Sequence, residues 1–329
     1  MKTFLIRRWF LLALAAVLIV GFTCGVPLRR LTEGLSAEQV SLARGLVVFT
    51  VMFLMALPLD ARSMWTAAKA PRAAMLAVAI NLGLLPLLGW VASRGLPPGL
   101  DTGLLVTCSI PCTLASAAVW TRRAGGNDAV AILVTMITNL ACFLVTPLWL
   151  YVLTSKNVQG QWPLDEMIVK LALYIVAPII LAQIMRRVGE GAVGVWAGRR
   201  KIPLSVAAQC GVLLMVLIGA VNAQRQLSEH TDNGGLAITD WAVMLATVIG
   251  LHLVVLVAGH AIAALLGMPR EDRIAVGFAG SQKTITAGLH VAIDFYGGLA
   301  ILPMVAYHVC QLLVDTLIAD RLRRQPPKE

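Results

Sequence analysis

The chain has 329 residues, of which 58% are hydrophobic and only 13% charged, with a mean hydropathy of +0.81. An ordinary soluble domain carries about 25% charged residues, so this chain lacks the polar surface to face water on all sides, and a soluble globular fold is excluded. The formal net charge of +10 sits in short Lys/Arg clusters between apolar segments, without a basic stripe interleaved with aromatics; that argues against nucleic acid as a partner and for the lipid bilayer as the solvent.

A membrane span needs about 20 mostly apolar residues. Ten segments qualify, at 9–26, 40–59, 73–93, 102–121, 128–154, 165–185, 202–222, 238–267, 272–292 and 296–319. The first, from Trp9 to Val26, is long for the apolar region of a signal peptide and is read as a retained span. In the second, Arg44 is expected near an interface with its head snorkelling to water.

The fourth segment reads "TCSIPCTLASAAVWTRRAGGND". Pro111 has no amide hydrogen and disrupts the preceding turn, so carbonyls around Thr107 and Cys108 lose partners. Thr113 and Ser116 place hydroxyls just beyond the break. Freed backbone groups survive at membrane depth only inside protein or beside a wet cavity. Taken alone, the segment also fits an ordinary proline kink with Ser and Thr bonding back to their own turn. In the fifth segment Thr135, Thr138 and Asn139 share one helical face, and an Asn within a span needs an interhelical partner or water.

The ninth segment, "VGFAGSQKTITAGLHVAI" at 276–293, inserts Ser281, Gln282, Lys283 and Thr284 into an apolar run, with Gly277, Gly280 and Gly288 loosening the backbone. The tenth carries His308, Gln311 and Asp315 at helical spacing; His308 reads either as a packed histidine or, with Asp315, as a proton-handling pair. The six cysteines lie within or beside apolar segments. Cys108 and Cys112 are four apart with no further clustered ligand, which reads as small buried thiols and not as a metal site, and no disulfide framework emerges.

Placing the N-terminus in the cytoplasm puts 19 of the 27 Lys and Arg on the inner side and 5 (Arg29, Arg30, Arg94, Lys156, Arg225) outside, with Arg44, Lys170 and Lys283 inside segments. This asymmetry supports ten spans in the cell (inner) membrane with both termini cytoplasmic. Five segments precede the 155–164 connection and five follow. An odd number per half gives the halves, 1–155 and 156–329, opposite orientations, the arrangement of an inverted repeat. The two polar segments are each fourth of their five, which points to a binding site made from two interrupted helices.

At residues 111–135, "PCTLASAAVWTRRAGGNDAVAILVT", and 280–284, "GSQKT", the chain resembles the bile acid:sodium symporter family, in the SBF-like branch that includes the cotransporter-7 proteins. The resemblance implies ten helices in two inverted repeats. It also implies a panel of segments 1, 2, 6 and 7 against a core of 3–5 and 8–10, with segments 4 and 9 unwound and crossing. It further implies a departure at the sodium site: Phe278 stands at the position of a sodium-binding glutamate. Lys283 takes the place of a frequent Asn, Ser116-Ala117 that of a Ser-Asn pair, and Ala131 that of a serine, while Thr135 and Gln282 are retained. Two like charges ~4 Å apart repel by about 4 kcal/mol at an effective dielectric near 20, so a charged Lys283 discourages sodium there.

The resulting expectation is a secondary transporter for a small organic anion, working by alternating access with a non-standard or absent sodium site, and with sodium or a proton as coupling ion. The alternative is a membrane-embedded regulator or scaffold of the same fold without flux. The candidate binding residues are Thr113, Ser116, Thr135, Thr138, Asn139, Ser281, Gln282, Lys283, Thr284, His308 and Asp315. An enzyme is not expected, since the chain holds no HExxH, GxSxG or paired-Asp motif; nothing calls for a cofactor.

Overall fold

A computed structural model of the chain describes residues 2–30, 34–59, 71–114, 116–154, 163–188, 191–229 and 236–324. Among these the fold is entirely helical. In chain order the helices are α1 (Lys2–Thr23), α2 (Gly25–Arg30), α3 (Ala37–Ala56), α4 (Pro71–Ser93), α5 (Leu100–Ser109), α6 (Ser116–Arg123) and α7 (Asp128–Thr154). They continue with α8 (Leu164–Val188), α9 (Ala192–Arg199), α10 (Lys201–Glu229), α11 (Ile238–Leu265), α12 (Arg270–Ser281), α13 (Ile285–Val291) and α14 (Ile301–Arg323).

Seven of these, α3, α4, α7, α8, α10, α11 and α14 with its leading turn, are long and apolar enough to cross a membrane. Shorter apolar helices cover Trp9–Thr23 and Leu100–Ser109. The fourth and ninth predicted segments are each divided, into α5 and α6 and into α12 and α13. Ile110, Gln282 and Thr284 adopt extended backbone at the divisions. Residues Arg62, Lys69, Lys156 and Lys328, which contribute to the charge asymmetry, and the connection 155–162 at the boundary of the two halves lie outside the described residues.

Polarity runs outward in the sense a bilayer demands. Val152, Val169, Val254 and Val257 are exposed, whereas Asn81, Asn139, His252, Gln282, Gln311 and Asp315 are fully buried. Backbone groups released at depth must find partners within the protein, and α4 shows how. A π turn at Ile80–Leu84 passes the Leu85 amide to the Ile80 carbonyl, so the Asn81 carbonyl loses the donor an α-helix would supply. Pro86 likewise has no amide for the Leu82 carbonyl, which accepts instead from Trp149 Nε1 of α7 at 2.6 Å.

Helix α1 packs on α10, α10 on α3 and α3 on α8; α4 to α7, α11, α12 and α14 form the other contiguous set. The turn before α14 wedges between α5 and α10. There a Cβ on Gly103 would stand 2.5 Å from the Ala300 carbonyl oxygen, so only glycine permits the approach. Arg44 departs from its expected snorkelling. Its side chain is 15% exposed and turns inward to Asp294, in the π turn Ala292–Tyr296 that follows α13, at 2.8 Å. A buried carboxylate within reach is a better partner than interfacial water because its own burial demands a counter-charge.

Candidate functional site

The break between α5 and α6 exposes a run of carbonyls, and each is met by a different donor. Ser109 accepts from Thr146 Oγ1 at 2.8 Å, Ile110 from Lys283 Nζ at 2.7 Å and Pro111 from the Thr284 amide at 3.0 Å. Cys112 accepts from Asn139 Nδ2 at 2.8 Å and Thr113 from Thr135 Oγ1 at 3.1 Å. Thr138 Oγ1 accepts the Cys112 amide at 3.2 Å. The face of α7 anticipated from spacing, Thr135, Thr138 and Asn139, thus binds the broken backbone directly. Asn139 Oδ1 and Ser109 Oγ remain buried without a hydrogen-bond partner among the described residues.

The second break meets the first backbone to backbone through Thr284 and Pro111, and α4 and α14 hold its other side. Asn81 Nδ2 lies within hydrogen-bond distance of the carbonyls of Ala279, Gly280 and Gln282, at 3.1, 3.2 and 3.0 Å. Gln311 pairs with the Lys283 main chain in both directions, each bond 2.9 Å. Tyr307 donates to the Ser281 carbonyl at 2.7 Å. The Ser281 hydroxyl is spent on its own helix, at the Gly277 carbonyl.

Lys283 is 2% exposed. Its Nζ donates to the Asn81 carbonyl at 2.7 Å, to Asn81 Oδ1 at 3.2 Å and to the Ile110 carbonyl at 2.7 Å. An ammonium has three donors and no acceptor, and three oxygens surround it. Its partners are thus two main-chain carbonyls and an amide oxygen, and no carboxylate.

Asp315 has other partners. Its Oδ1 lies 2.8 Å from His252 Nε2 of α11, and its Oδ2 accepts from Gln282 Nε2 at 2.5 Å. Gln282 Oε1 in turn accepts from Ser116 at 2.9 Å, and Ser116 Oγ reaches Thr113 Oγ1 at 3.2 Å. Buried ionisable groups in this chain thus connect through Gln282 to the half-buried hydroxyl at the first break. Of the two readings open for His308, its contact matches the packed one: Nδ1 lies 3.0 Å from Gln311 Nε2. Asn81, His252 and Tyr307 are the members that sequence reasoning missed.

No group of three or more His, Cys, Asp or Glu that could hold a metal occurs among the described residues, and all six cysteines are free. Phe278 is 1% exposed and packs with Ala124, Leu256, Ile274 and Ala319. Ala117 and Ala131 are also fully buried. Three of the positions where the resemblance would put sodium-binding oxygens, Phe278, Ala117 and Ala131, are therefore packed apolar side chains, and Lys283 Nζ lies at the joint of the two breaks.

The model of the SBF-like CPA transporter family matches residues 8–324. The chain belongs to that family. As a member it is a multi-pass membrane transporter, not an enzyme. It is 29% identical over 259 residues to an uncharacterized protein of Pseudomonas aeruginosa, covering 76% of this chain and 75% of that one. It is 28% identical over 253 residues to the Escherichia coli protein named "Putative symporter YfeH", covering 74% and 72%. The sodium/bile acid cotransporter 7 of Xenopus tropicalis is 24% identical over 247 residues, 74% of this SBF-like transporter and 67% of the cotransporter.

Proposed function

We propose that this SBF-like transporter moves a small organic anion by alternating access, with the Lys283 ammonium taking the place of a coupling cation at the joint of two broken helices. The observation that carries this reading is the triad of oxygens around Lys283 Nζ, drawn from α4 and from the first break. Freed carbonyls at half-helix ends are where transporters of this general build hold their coupling ions, and here a tethered cation holds them. The binding residues are Thr113, Ser116, Thr135, Thr138, Asn139, Ser281, Gln282, Lys283, Thr284, His308 and Asp315, extended by Asn81, His252 and Gln311.

Seven full-length helices, α1, and the two divided pairs α5/α6 and α12/α13 support ten traverses in two inverted halves, 1–155 and 156–329. The set α1, α3, α8 and α10 fits a panel, and the remaining set a core. The distribution of Lys and Arg supports an inner-membrane location with both termini cytoplasmic. Coupling to sodium, as the name of the Xenopus relative states for that protein, has no anionic oxygen at Phe278 to support it. A proton held between His252 and Asp315 has a buried, fully hydrogen-bonded site.

The test is flux. Purified protein in liposomes is offered a panel of organic anions with sodium or choline outside, with and without an imposed pH gradient. The proposal expects at least one anion to be accumulated without sodium, and not by the Lys283→Met variant. A protein that binds an anion but moves none would favour the regulator or scaffold; strict sodium dependence would remove the tethered-cation reading.

A further inference from the structure

A second buried ionic cluster lies away from Lys283, where α3 and α8 face the turn after α13. Asp294 is its centre, with a side chain only 1% exposed. Arg44 of α3 binds its Oδ1 through Nη2 at 2.8 Å and through Nε at 2.9 Å. Lys170 of α8 approaches Oδ2 at 3.2 Å, and Ser41 of α3 donates to the same oxygen at 3.1 Å. Lys170 also reaches Ser41 at 3.4 Å and the half-exposed Glu166 at 2.9 Å. One turn before Asp294, His290 is fully buried 3.8 Å from Oδ2, and neither of its ring nitrogens has a hydrogen-bond partner among the described residues.

The two cations and the carboxylate come from different elements, and α13 packs on α3 and α10 as well as on α14. α3 and α8 pack on each other, so Arg44, Lys170 and Ser41 form one preassembled donor group; Asp294 and His290 ride on α13 and its π turn. Arg44 and Lys170 lie part-buried side by side. Glu166 also answers Lys170, so it is Arg44 above all that depends on Asp294 for a counter-charge, and an unpaired buried charge is strongly destabilising. Any motion of α13 away from α3 and α8 withdraws that carboxylate. The donors then face an opening with one negative charge missing, and His290 has unspent hydrogen-bonding capacity beside it.

We propose that Arg44, Lys170 and Ser41 form an anion-binding subsite for a carboxylate group, and that Asp294 is its resident occupant in this conformation. In the alternate conformation the carboxylate of the transported anion replaces Asp294. This rests on the alternating-access reading above, since that reading supplies the motion. It makes Asp294 a competitor of the substrate, and Arg44 a residue that touches it.

Chemical rescue tests the subsite without knowledge of the substrate. Asp294→Ala keeps Cβ and leaves room of about the size of a formate ion beside the three donors. Thermal unfolding of the purified full-length variant is followed with acetate, formate or chloride as the sodium salts at equal ionic strength. Formate, and acetate to a smaller extent, are expected to raise the midpoint of Asp294→Ala by several degrees over chloride, to leave the wild type unmoved, and to lose their effect in Asp294→Ala/Arg44→Gln. A folded, monodisperse Asp294→Ala that ignores both carboxylates overturns the proposal, as does a gain that survives Arg44→Gln. Should Asp294→Ala not survive purification, Asp294→Gly, which frees the methylene as well and admits a whole acetate, carries the same comparison. Rescue without flux of any screened anion leaves the subsite standing and removes transport; flux without rescue does the reverse.

Discussion

Replacing Lys283 by Met keeps a flexible apolar stem of similar length and removes only the ammonium. The structure states what is lost. The Asn81 carbonyl, Asn81 Oδ1 and the Ile110 carbonyl all lose their donor, in residues that are fully buried, too deep for water to replace it without rearrangement. A buried acceptor left unmade costs about 1–3 kcal/mol. Counting the two main-chain carbonyls alone, a loss of about 2–6 kcal/mol is expected. At about 2 °C per kcal/mol for a chain of this size, the unfolding midpoint should fall by roughly 4–12 °C. Tryptophan fluorescence during a thermal ramp in detergent reads this directly, with Lys283→Arg as comparison. A guanidinium keeps the charge, but its planar fork cannot match three oxygens grouped around one point, so an intermediate loss is expected. A Met variant as stable as the parent would refute the reasoning, because the oxygens would then be satisfied by something other than Lys283.

Asp315→Asn should destabilise by about 3–5 kcal/mol, because it leaves His252 and Gln282 without their buried carboxylate; a double-mutant cycle with His252→Gln should show strong coupling by the same unfolding assay. Thr138→Val removes the acceptor of the Cys112 amide and should cost about 1–3 kcal/mol. Thr316→Val, where the hydroxyl only back-bonds to Leu312 in its own helix, should stay within about 0.5 kcal/mol. For topology, a cysteine at Gly198 should react with an impermeant maleimide only after permeabilisation, and one at Ser228 in intact cells, both in a background lacking the exposed Cys24 and Cys210.

The parts of this site that were legible in the sequence are those whose chemistry is local. Pro111 announces its own missing amide, and Thr135, Thr138 and Asn139 announce a polar face by spacing alone. Asn81 was not legible. It sits in the apolar run "INLGLLPLLGW", and its carbonyl is free only because a π turn reassigns the Leu85 amide. Its three-way grip on the α12 terminus depends on a neighbour nearly 200 residues away. His252 was hidden likewise within "GLHLVV". The choice between the two readings of His308 was open for a related reason: helical spacing says which residues share a face but not which neighbouring helix each side chain meets. α11 offers His252 to Asp315, and Gln311 intercepts His308 one turn earlier. Arg44 was misread because its partner, Asp294, lies 250 residues along the chain.

The central claim is that the Lys283 ammonium stands where a coupling cation would otherwise bind, and sodium itself is the most direct probe of it. The measurement is the unfolding midpoint of the wild type and of Lys283→Met in sodium chloride and in choline chloride at equal ionic strength. The account expects the wild-type midpoint to be the same in both salts. A wild-type protein that sodium stabilises, with the same gain surviving in Lys283→Met, would contradict it, because a cation site would then exist independently of the lysine.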